Sequence, residues 1–113
     1  MESILTSIKK LLGIQEEYTN FDNDIIMHIN STFSNLSQIG VGPSNGFSIK
    51  DKSSTWDEFV SDNRLECVKS YIYLKVRLLF DPPSSSSVMD SINRMINEYE
   101  WRLNVTAESI TNS

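Results

Sequence analysis

The chain has 113 residues, 39% of them hydrophobic and 22% charged, with a formal net charge of −5. That length suits one domain able to bury about two thirds of its unfolded surface, and the acidity argues against a protein whose main task is to grip phosphate backbones. No run approaches the roughly 20 apolar residues that span a bilayer, and Lys9 and Lys10 follow the first apolar residues, the reverse of a signal peptide, so an intracellular product without a membrane anchor is expected.

Met1, Ile4, Leu5, Ile8, Leu11 and Leu12 fall on one helical face, and Gly13 supplies a left-handed stop. The spacing therefore predicts a short first helix. A second helix is predicted from Asp22, which can cap the free amides while Phe21 packs on Ile26 as a hydrophobic staple. Ile25, Ile29, Phe33, Leu36 and Ile39 continue its stripe until Gly40. Residues 41–50 read as a loop in which Asn45-Gly46 could turn a minor β-hairpin. Thr55-Trp56-Asp57-Glu58 fits a capping box opening a short helix over Trp56–Val60.

The next helix, about Asn63 to Phe80, is apolar on two sides. Leu65, Val68, Ile72, Val76 and Leu79 form one stripe. Cys67, Tyr71, Leu74 and Leu78 form another, centred roughly 135° away. One stripe can face the subunit's own core, which leaves Cys67, Tyr71, Leu74 and Leu78 as a candidate subunit interface. Residues 63–80 are also the basic part of the chain, with four cations against one carboxylate.

Asp81-Pro82-Pro83 forbids continuation, because proline lacks an amide donor and disfavours helix in the residue before it. Ser84–Ser87 spans the corner, with Ser86 or Ser87 as cap, and a last helix runs from Val88 to about Asn104. Val88, Ile92, Met95, Ile96, Tyr99 and Leu103 share its inner face, while Trp101 points the other way as a candidate partner anchor. The chain then turns polar, so residues 1–104 are expected to form the helical domain and 105–113 a flexible tail. The expected fold is all-α: a small bundle of about four main helices around a long central one.

Little in the chain suggests chemistry. His28 is the only histidine and Cys67 the only cysteine. No Cys/His cluster exists, so neither a zinc site nor a Cys-His or Ser-His nucleophilic system is expected, and Cys67 is expected to be a small buried hydrophobe. Glu16/Glu17, Asp57/Glu58 and Glu98/Glu100 diverge on their helices and read as solvated surface. No phosphate-cradling glycine loop is present, since Gly40-Val41-Gly42 lacks the third glycine and the strand–helix context. Neither an enzyme nor a cofactor is expected.

Two stretches carry a resemblance. Tyr71–Pro83, containing KVRLLFDPP, and Glu98–Asn104, EYEWRLN, are similar to the small head–tail connector (adaptor) proteins of tailed phages and prophages of Gram-positive bacteria. Ile4–Gly13 and Tyr18–Gly42, with Ile39-Gly40-Val41-Gly42-Pro43, resemble the same family, so the likeness covers nearly the whole chain. It implies an all-helical virion subunit, made in the host cytoplasm, that forms a homo-oligomeric ring of about twelve copies. Its implied partners are the portal protein above and the stopper, or head-completion protein, below, with DNA passing through the channel without sequence-specific binding. The resemblance also implies that the C-terminal tail docks on the portal, where Val105, Ala107 and Ile110 are the apolar groups at hand. It carries over no catalytic residue. The alternative is a small helical DNA-binding regulator of a phage or mobile element, supported by Arg64, Lys69, Lys75 and Arg77; those four point in different directions, whereas a recognition helix would align them.

Overall fold

A computed structural model describes residues 2–112, with side chains described through Ala107. The described chain is helical, in five segments: α1 (Ile4–Leu11), α2 (Asp22–Gln38), α3 (Trp56–Phe59), α4 (Leu65–Phe80) and α5 (Ser86–Asn112). No sheet forms among these residues; the one β-type contact is a bridge between Ser3 and Thr55.

Helix ends follow local rules. The Ser3 side chain accepts from the Thr6 amide to open α1. Both α1 and α2 close on a glycine in the left-handed region, Gly13 (φ 82°) and Gly40 (φ 85°). In each, the next amide reaches back six residues inclusive, Ile14 to the Lys9 carbonyl and Val41 to that of Leu36, both at 2.9 Å.

The start of α2 departs from the expected cap and staple. Phe21 is the cap position and makes no side-chain cap bond, while Asp22 is the first helical residue. Lys9 explains the difference. Its ammonium, buried by α1 and the following loop, lies 2.8 Å from Asp22 Oδ1 and donates to the Glu16 and Tyr18 carbonyls at 2.9 and 2.8 Å. Asp22 is thus taken up by an ion pair. Phe21 lies between Tyr18 (ring centroids 5.5 Å, tilted) and Phe80 (5.2 Å, edge-on).

Residues 41–50 make a turn but no hairpin, the Gly46 amide donating to the Pro43 carbonyl at 3.0 Å. The pairing a strand would have offered comes from a side chain. Asn30 on α2 accepts from the Ile49 amide at 2.8 Å and donates to the Ile49 carbonyl at 3.0 Å. Both backbone groups of buried Ile49 are satisfied this way, so no second strand is needed. Phe47 then lies against Phe33 and Phe59. Gly42 (φ 96°) lies so close to Phe59 that a Cβ there would stand 2.4 Å from the ring.

The capping box forms as expected: the Thr55 amide donates to Glu58 at 2.9 Å, and α3 ends one residue early, at Phe59. Trp56 is fully buried, its indole N–H donating to Ser7 at 3.0 Å. Pro82 and Pro83 stop α4, and α5 is capped by Ser85, one residue before the expected serines, through its hydroxyl facing the Val88 amide at 3.4 Å.

α4 is the central element, packed on α2 and on α5, with α1 closing a further side. Leu79, assigned to its first stripe, is exposed at the helix end, and Leu65 is half-buried. On α5, Ile92, Ile96 and Leu103 are buried as expected, whereas Val88 and Met95 lie at the exposed edge of that face. The helix also runs past Asn104 to Asn112. Its register continues because Ala107, four residues after buried Leu103, is itself buried and meets Gly40, where a Cβ would lie 3.5 Å away. The molecule is a slab about 19 Å in its thinnest dimension.

Candidate interaction site

The second stripe of α4 is partly covered from within. Tyr71 is fully buried, and its hydroxyl donates to Glu100 on α5 at 2.9 Å. Burial, reinforced by that carboxylate, pushes the phenol's ionisation well above its usual range. Leu74 is buried, Leu78 is half-buried, and half-buried Cys67 has its Sγ 4.0 Å from the Tyr99 carbonyl. Partial burial raises the Cys67 thiol, against a nearby Arg102 guanidinium that acts the other way. Within the chain α5 meets this side through Glu100 and Tyr99, which buries Tyr71, while Cys67 and Leu78 stay half-buried. A sequence of this length gives the two-sided pattern but not its occupant, and for Tyr71 the occupant is the next helix.

Trp101 behaves differently. It projects from α5 away from the core and is 66% exposed. Val105, one turn further, is exposed on the same side. Asn97, Glu100 and Asn104 with Ile39, the residue just after α2, surround a shallow hollow of about 250 Å³ beside the indole. Glu98, three residues before Trp101, is exposed and ion-paired with Arg102 at 2.6 Å. A large aromatic with a polar rim is the surface chemistry of a protein contact. Of the three tail positions, Val105 is exposed and Ala107 is turned inward, while the Ile110 side chain lies outside the described residues.

Three of the four cations of the basic band are engaged within the chain. Arg64 pairs with Asp62 at 2.9 Å, and Lys69 with Glu2 at 3.2 Å while lying over Trp56. Lys75 sits over the Tyr71 ring. These cations do not present one aligned face for a phosphate backbone. His28 is half-buried, and among the described residues no group of three or more His, Cys, Asp or Glu is placed to hold a metal. No described helix is long and apolar enough to cross a membrane.

Lys9 is the polar residue that sequence reasoning missed. A lysine in the last turn of a short amphipathic helix reads as a solvated dipole partner; its burial depends on where residues 14–22 turn back, which periodicity does not record.

Among curated proteins and among solved structures, nothing matches this chain. A family model described as "Phage connector protein" matches residues 4–109. That span takes in α1 through nearly all of α5, including the Pro82-Pro83 corner and Trp101, so the chain belongs to the phage connector protein family.

Proposed function

We propose that this protein is the ring-forming adaptor of a virion neck, joining the portal to the stopper and extending the DNA channel between them. The observation that carries the proposal is the family match over residues 4–109. The exposed Trp101–Val105 side of α5 supports it, because a ring subunit must contact neighbours through side chains its own core does not use. The net charge of −5 suits a conduit: duplex DNA must slide past the wall without being held. In this reading the protein is made in the host cytoplasm and ends in the virion, in about twelve copies per ring. The end of α5 beyond Leu103 is the portal-docking element, with Val105 as its exposed apolar group.

The test is to purify the protein together with the portal of the same phage and image the complex. A ring of added density coaxial with the portal is expected. Particles with a bare portal, combined with salt-dependent duplex binding by the free chain, would favour a DNA-binding regulator instead.

A further inference from the structure

The side of the molecule opposite Trp101 is also unfinished. Leu11, at the end of α1, belongs to that helix's apolar face by sequence, yet it is 52% exposed. It borders a groove of about 570 Å³ between α1 and α4, floored by Trp56 and walled by Leu11 and Tyr73, with Lys10, Lys69 and Glu66 at the rim. Lys69 is held there by Glu2 at 3.2 Å, whereas exposed Lys10 makes no such close pair among the described residues and acts on Glu2 only at longer range.

Groove and tryptophan lie on opposite sides of α4. Lys69 reaches Glu2 on the α1 side, and Tyr71 reaches Glu100 on the α5 side. Two positions on a helix are about 200° apart, so these contacts point in nearly opposite directions. The two surfaces are also unlike: one projects an aromatic beside the exposed carboxylate of Glu98, and the other is concave and aliphatic–aromatic, with the exposed ammonium of Lys10 at its rim. Unlike surfaces on opposite sides of one subunit join head to tail, and such joining closes into a ring when the rotation permits.

The geometry points to a second copy of this chain as the occupant of the groove: Trp101 of one subunit seats between Leu11 and Tyr73 of the next, with Lys10 facing Glu98. This rests on the adaptor reading and adds to it which two surfaces meet. A Trp side chain buries 150–250 Å² on docking, about enough for it to act as the anchor of a small lateral contact.

The test uses the full chain with Cys67→Ser, carrying Lys10→Cys and Glu98→Cys together, which leaves Trp101 and Leu11 in place. It is oxidised mildly both as the concentrated free protein and bound to the portal, then run on a non-reducing gel. Both substituted positions are exposed, so the fold is retained. A ladder extending beyond dimer is expected from the double variant and not from either single one. In the Cys67→Ser chain without these cysteines, Trp101→Ala should weaken self-association about tenfold or more. Dimers from Glu98→Cys alone, equal in yield to the double variant, would mean a symmetric contact and overturn the proposal. So would a chain that rings the portal normally yet gives no ladder, which would leave the adaptor reading intact. A wild-type chain that neither self-associates nor joins the portal overturns both.

Discussion

Buried side chains occur on several sides of α4: Val68, Ile72 and Val76 along one line, Tyr71 and Leu74 along another. α5 buries Ile92, Ile96, Leu103 and Ala107 along a single line and leaves Trp101 and Val105 on the far side in solvent. Both helices carry apolar groups outside their main stripe, and only α5 has them exposed. In a slab this thin, a helix apolar on two sides is the middle layer, covered by α2 and α5 of the same chain. The helix that remains open is the one-sided one with a single misplaced aromatic.

That contrast can be broken experimentally, beginning in the centre. Ile72→Ala on α4 should cost about 2–5 kcal/mol, read as a lowered midpoint in urea denaturation, because the site is fully buried and enclosed. A loss below 1 kcal/mol would mean that α4 is not the middle layer. Ala107→Asp, which buries a charge against Gly40, should cost about 1–3 kcal/mol. If it costs nothing, the last turns of α5 do not belong to the packed domain. Tyr71→Phe keeps the ring and removes the bond to Glu100, for a loss of about 0.5–1.5 kcal/mol measured the same way. Trp101→Ala should move stability by no more than about 0.5 kcal/mol while disrupting assembly. A large drop in stability with assembly intact would place Trp101 in the core and reverse the comparison.

Most of the architecture was legible in the sequence because its signals are local. Gly13 and Gly40 end helices, Thr55 and Glu58 box one, Pro82 and Pro83 stop another, and each acts within a few residues. What escaped depends on contacts made at a distance along the chain. Asn30 reaches across 19 residues to satisfy Ile49, and that bond replaces the hairpin suggested by Asn45-Gly46. The contact of Ala107 on α5 with Gly40 is likewise one between small residues far apart in the chain, which composition does not reveal. The candidate site divides the same way: the outward aim of Trp101 follows from periodicity, whereas the covering of Tyr71 follows from how α5 folds back after the corner.

Lys9 and Lys10 are adjacent in the chain and differ in almost everything else, since one ammonium sits among three oxygens while the other stands in water. An amine-reactive label should therefore modify Lys10 at once and Lys9 only when α1 separates from the loop after it. The ratio of the two adducts, read by mass spectrometry from one peptide, becomes a built-in clock for local opening of the N-terminal region. It needs no introduced probe, and it would report whether assembly slows that opening.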